Sequence, residues 1–115
     1  MSYGPMSDAH RAAIKAGHAR NRAGDGFLYV ALCDHGKTIK IGCALNPERR
    51  LISWRIKPNI LARTKGGYAD ERRLHQQLKA YRNGYGYEWY EPTVLDHPAV
   101  QAVFGDLRSM RKEAA

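Results

Sequence analysis

Acidic side chains are scarce in this 115-residue chain: 11 Asp and Glu stand against 19 Lys and Arg, leaving a net charge of +8. A small basic domain is drawn to polyanions, and nucleic acid is the commonest of these. Cysteine is scarcer still, with only Cys33 and Cys43. Two cysteines cannot build a disulfide scaffold, and reduced thiols fit an intracellular, cytoplasmic protein. Cys33, His35, Cys43 and His75 lack the paired Cys-x-x-Cys or His-x-x-x-His spacing of a zinc site. No apolar run is long enough to span a membrane, and no signal-peptide pattern, internal repeat or low-complexity tract is present. At this length there is room for one domain with a modest core.

What is present divides into three stretches. Residues 1–25 form a basic extension in which Asp8 to Arg22 is alanine-rich and helix-prone. Ser7 or Asp8 is its cap, and Ile14 its only large aliphatic, so it has almost no apolar stripe to dock. Residues 26–95 hold the core domain, and residues 96–115 a final helix packed on it. Gly26 to Leu32 and Thr38 to Gly42 read as two strands joined through Asp34-His35-Gly36-Lys37. A loop centred on His35-Gly36 makes paired residue numbers sum to 71, which sets Tyr29 opposite Gly42 and Lys40 opposite Ala31. Cross-strand partners share a face, so Tyr29 and Lys40 project together beside a glycine that leaves room for a ligand. Asn46-Pro47-Glu48 is a helix start, with Asn as cap, Pro first in the helix and an acid at the positive end of the dipole. That helix is expected to reach about Lys57, with Leu51, Ile52, Trp54 and Ile56 on its apolar face. A short strand at Ile60 to Arg63 follows, then a helix from Tyr68 to Asn83 and a strand from Tyr85 to Tyr90. Asp96 or His97 caps the last helix, whose stripe is Val100, Val103, Phe104 and Leu107. The sum is an α/β (α+β) single domain with a small antiparallel sheet of about three strands flanked by helices.

One acid is out of place. In the helix from Tyr68 the buried stripe is Leu74, Leu78 and Tyr81. Glu71 falls about 20° from Leu78 at ~100° per residue, with His75 one turn on. A carboxylate in that position must be paired or hold a metal. The plainer reading is a glutamate at the wet end of the stripe, salt-bridged to an arginine. On the preceding helix, geometry does not choose between Arg49 and Arg50, since each borders the apolar face. A surface arginine covering Trp54 with its stem is the plain reading there.

Gly26-Phe27-Leu28-Tyr29 and Lys40-Ile41-Gly42 together resemble the opening hairpin of the GIY-YIG nuclease domain. They are closest to its phage-type branch, with Lys-Ile-Gly in place of Tyr-Ile-Gly. Glu71-Arg72-Arg73-Leu74-His75 is similar to that branch's Glu-x-x-Leu-His pattern, and Glu88-Trp89-Tyr90 to its closing Glu-Trp-aromatic strand. The resemblance covers Gly26 to Tyr90. It implies a GIY-YIG-like fold and a metal-dependent endonuclease acting on DNA. Tyr29 would then be the general base and Glu71 the ligand of a Mg²⁺ (or Mn²⁺) ion. The family arginine, eight residues after the second glycine, falls on Arg50. Lys40 would stabilise the Tyr29 anion, while His75 either orients Glu71 or acts as a second acid/base group. Gly42, Arg49 and Glu88 would line the substrate site. Tyr81 reads as packing, whereas Tyr85 and Tyr87 stay open as packing or base-stacking residues. Two other classes fit less of the pattern: a non-catalytic DNA-binding module of the same fold, and a small basic adaptor for an acidic protein.

Overall fold

A computed structural model describes residues 8–22, 25–33, 37–57, 59–84, 86 and 88–107. The elements run α1 (Asp8–Arg22), β1 (Phe27–Cys33), β2 (Thr38–Ala44), α2 (Pro47–Ser53), β3 (Ile60–Lys65), α3 (Tyr68–Gln77), β4 (Trp89–Tyr90) and α4 (Pro98–Phe104). Short 3-10 turns at Lys79–Tyr81 and Pro92–Asp96 link the later ones. The sheet is antiparallel in the order β3-β1-β2-β4. It has four strands rather than about three. The last is only two residues long, pairing Ile39 with Tyr90 and Lys40 with Trp89. Ser7, the Asp34-His35-Gly36 turn, Tyr85 and Tyr87 lie outside the described residues.

The hairpin register is the expected one, with Tyr29 opposite Gly42 and Ala31 opposite Lys40. Alternation then sorts the strands onto two cores. One face carries Val30, Leu32, Ile39 and Ile41 against Leu74 of α3 and Leu78 just beyond it, Val100 of α4, and Val94 and Leu95 between. The other carries Tyr29, Ala31, Cys33 and Ala44 against Leu51 of α2, with Ile56, Ile60 and Trp89 at its rim. Burial on both faces explains why β1 reads as a near-continuous apolar run. Tyr81 packs against the larger core, as the sequence suggests.

Several elements end earlier than their patterns imply. α2 begins as expected, with the Asn46 side chain accepting from the Arg49 N–H at 3.1 Å. It stops at Ser53 instead of reaching Lys57, because Arg55 turns into the left-handed region at φ 60°. The Ile56 N–H then reaches back to the Leu51 carbonyl and the Arg55 N–H to that of Ile52, both at 2.9 Å. Leu51 and Ile56 share the smaller core across this closure, the apolar contact that accompanies a Schellman turn. The truncation leaves Ile52 and Trp54 exposed, against the expectation that both lie on a buried face. α4 starts at Pro98, its cap His97 accepting from the Ala99 N–H at 3.0 Å. It ends at Phe104, so Val103 faces outward while Leu107 beyond the helix returns to the core. Among the described residues, no helix is long and apolar enough to cross a membrane.

The αL position at Arg55 has no side-chain reason to be arginine, and glycine adopts it without the Cβ clash. Arg55→Gly is expected to raise stability by about 0.5–1 kcal/mol, the relief of strain outweighing the entropy glycine adds to the unfolded chain. Chemical denaturation checks this; a destabilised variant would mean that the arginine side chain anchors the turn.

Candidate functional site

The smaller core opens at one end into a cavity of about 490 Å³ lined by Tyr29, Arg49, Arg50, Glu71 and Glu88. A second groove of about 660 Å³ shares Tyr68, Glu71 and Glu88 with it, and adds His75, Arg72 and Lys79. Glu71 and Glu88 therefore stand where the two hollows meet.

Tyr29 is almost fully buried, and its ring lies across Gly42 on the neighbouring strand. A Cβ built at Gly42 would sit 2.7 Å from the Tyr29 hydroxyl oxygen and 2.9 Å from Cζ. The room beside this glycine is thus filled by the tyrosine itself, not left for a ligand. Burial drives the phenol well above its ordinary range. The Glu88 carboxylate pushes the same way, and Arg50 is the cation opposing both.

Lys40 departs from expectation. Its ammonium is fully buried and is claimed by Glu88, Nζ to Oε2 at 2.5 Å. It also lies 4.2 Å from the centre of the Trp54 ring and 4.8 Å from that of Trp89. Facing the same side as Tyr29 does not bring the charge to the phenol, because a four-carbon stem carries it to the nearest carboxylate. Arg50, from α2, is the cation that acts on both Tyr29 and Glu71. Its guanidinium rests 4.4 Å from the Trp54 ring centre, so the plain reading of an arginine over Trp54 also holds. Arg49 lines the same cavity without a comparable effect on either group.

α3 is positioned by its first turn. Asp70 turns back to accept from the Gly67 N–H at 2.9 Å, so the neighbouring acid Glu71 is the one left facing the cavity. Glu71 is half-buried and, among the described residues, forms no salt bridge. Its carboxyl is pushed up to about 7, first by burial and then by the Glu88 charge, against the pull of Lys40, Arg50 and Arg72. His75 is buried one turn along. Its Nε2–H donates to the Ile41 carbonyl at 3.0 Å, and burial lowers its pKa, so the ring is neutral. Next to it, the Ile41 N–H donates to the Glu88 carbonyl at 3.0 Å. His75 therefore continues the β2 edge where β4 is too short to pair it. Glu71 is not its hydrogen-bond partner.

α1, helical as its composition implies but expected to have almost nothing to dock, lies against α3. Ile14 and His18, one turn apart, line the cavity, and His18 Nδ1 lies 2.6 Å from the Tyr68 hydroxyl. Their i, i+4 spacing was the available signal, but nothing in the sequence tied it to a tyrosine fifty residues away.

A half-buried carboxyl that forms no ion pair among the described residues, raised by burial and then by a second carboxylate, and opening on a cavity, has the chemistry of a hard-cation ligand. No cluster of three or more His, Cys, Asp or Glu is present among the described residues. Glu71 is the side chain here that could hold a hard cation, through a single carboxylate, with water and substrate filling the other positions, as Mg²⁺ accepts.

A buried tyrosine on a strand, an arginine on the first helix after the hairpin and a glutamate on the next helix thus open on one cavity of a small α+β domain. The chain belongs to the T5orf172 domain family, whose profile matches residues 26–108 and so includes α4; this phage-associated domain is related to nuclease-like, GIY-YIG-type folds. No curated protein and no solved structure matches it.

Raising the Glu71 pKa from 4.5 to about 7 means that the folded protein holds a proton there that the unfolded chain has lost. Stability should therefore fall as pH rises between those values, by an amount on the order of 1–3 kcal/mol after allowance for partial exposure. His75 works in the opposite sense, favouring folding as pH climbs toward 6.5. The comparison is thus between the parent and Glu71→Gln, which should be the more stable protein at pH 8 but not at pH 5. Adding Mg²⁺ at pH 8 should stabilise the parent and leave Glu71→Gln unmoved. Equal melting temperatures at both pH values would remove the assigned strain from Glu71.

Proposed function

We propose that this domain is a divalent-metal-dependent endonuclease that hydrolyses DNA phosphodiester bonds. The observation that carries this reading is the meeting of Tyr29, Arg50 and Glu71 at one cavity, with Glu71 in no salt bridge among the described residues and its carboxyl raised. The family supports it, and so does the net charge of +8, which suits a phosphate backbone.

Glu71 would hold the cation against the phosphate. When bound, such a cation supplies Lewis-acid stabilisation of the phosphate and of the leaving oxygen. Arg50 donates to a non-bridging oxygen and offsets the charge that gathers around phosphorus. Tyr29 takes the proton of the attacking water. Its raised pKa makes it a neutral phenol at rest, so it ionises only when positive charge is brought beside it. Arg50, rather than Lys40, is the protein's own contribution to that charge. Packed against Gly42 and almost fully buried, the ring is held at the wall of the cavity. His75, whose Nε2–H is held by Ile41, keeps α3 at the correct height against β2.

The test is single-turnover cleavage of plasmid DNA across pH. With Tyr29 as base, the logarithm of the rate should rise by about one per pH unit above 7 without a plateau, and more steeply below, where Glu71 also gains its proton. Tyr29→Phe should lower the rate by about two to four orders of magnitude and flatten the slope above pH 7. Glu71→Gln, or chelation of the parent's metal, should abolish cutting while DNA is still bound. Cleavage undiminished by Glu71→Gln would overturn the metal assignment. Tight DNA binding with no cleavage under any condition would favour the non-catalytic module.

A further inference from the structure

We infer that Trp54 is a positioning residue that holds Arg50 ready for a phosphate, and that Lys40 serves the site through Trp54 rather than through Tyr29. The inference rests on the reading of Arg50 as a phosphate ligand, and it explains how an exposed arginine can be ready for that task.

Arg50 has no salt bridge to a carboxylate among the described residues; its guanidinium instead lies 4.4 Å from the Trp54 ring centre. The distinction matters chemically. A carboxylate would fix the guanidinium by occupying the N–H groups that a phosphate needs, and would cancel its charge. An indole face orients the guanidinium plane by cation–π attraction and leaves its five N–H donors free.

For this to work, Trp54 must itself be fixed, and two features fix it. Its backbone is the cap of α2, held by the left-handed turn at Arg55 and the Ile56-to-Leu51 hydrogen bond behind it. Its ring receives a second cation, the Lys40 ammonium, 4.2 Å from its centre. Lys40 has no freedom of its own, being fully buried, bonded to Glu88 and set against Trp89. The order of support runs from Glu88 and Trp89 to Lys40, to Trp54, to Arg50. Arg50 is thereby the exposed end of the series, and Trp54, 41% exposed, is the member that carries it.

The test is a double-mutant cycle on the full chain, using a short DNA duplex. Trp54→Leu keeps apolar bulk but lacks the ring quadrupole, Trp54→Met repeats this with a more adaptable side chain, and Trp54→Phe keeps a ring. Trp54→Leu should weaken binding about three- to tenfold and lower the logarithmic salt slope by up to ~0.9, the share of one phosphate contact. It should slow single-turnover cleavage about ten- to a hundredfold, whereas Trp54→Phe should recover most of both. Combining Trp54→Leu with Arg50→Ala should be no worse than Arg50→Ala alone, because one acts through the other. The Arg50 δ-methylene protons should show an upfield ring-current shift by NMR in the parent and in Trp54→Phe, but not in Trp54→Leu. If Trp54→Leu does not fold, Trp54→Met carries the same comparison. Additive effects in the cycle, or faster cleavage by Trp54→Leu, would overturn the inference while leaving the nuclease reading intact. A parent that binds DNA but never cuts would remove the nuclease reading, and the cycle in binding affinity would still decide the role of Trp54.

Discussion

A fully buried lysine ammonium is the constraint around which this small domain is arranged. Placing that charge inside the smaller core is unfavourable unless a carboxylate reaches it, and Glu88 does so from the segment just before β4. Because Glu88 must be there, the chain after α3 has to return along β2, and its carbonyl completes a hydrogen bond to Ile41 on the way. Because Lys40 is there, the surfaces flanking it are aromatic: Trp54 and Trp89 accept the charge without competing for its protons. The remaining carboxylate of the region, Glu71, then meets a neighbour already negative and partly spoken for. Its raised pKa follows from that crowding as well as from burial.

The two faces of the sheet divide the work between them. The fully buried residues of the larger core, among them Val30, Ile39, Ile41, Leu74 and Val100, are aliphatic apart from Tyr90, with Tyr81 and Phe104 packed at its margin, and this core carries most of the burial. The smaller core mixes a tyrosine, a lysine and small side chains under a seven-residue helix. His75, buried beside the Tyr90 ring, bonds the β2 backbone at Ile41. The charged side chains are thus gathered on one side of the sheet and most of the aliphatic packing on the other, which is how a domain of this size can hold a site without losing its core.

Much of this was legible in the sequence, for reasons of geometry. The hairpin register follows from a loop centre and a period of two, so Tyr29 over Gly42 could be read residue by residue. Glu71 stood out through helical periodicity, while its neighbour Asp70 is taken up by the Gly67 N–H at the start of the helix. The misses share one cause. A register says which face a side chain leaves from, not where the end of a long one arrives. Lys40 was therefore assigned to Tyr29 when its head belongs to Glu88. The early end of α2 was hidden because its left-handed residue is an arginine, where glycine would have advertised the turn. The contact of His18 with Tyr68 joins two polar groups far apart in the chain, and no local pattern records it.

The brevity of β4 has a consequence in time rather than in space. Its ladder to β2 consists of two residue pairs, steadied by a bridge between Arg82 and Tyr90. What anchors this edge is the buried Tyr90 side chain and the Lys40–Glu88 pair rather than the length of its ladder. Opening it would part Glu88 from Lys40 and leave burial alone to raise the Glu71 carboxyl. Amide exchange at Ile41, whose N–H donates to the Glu88 carbonyl, would time such openings.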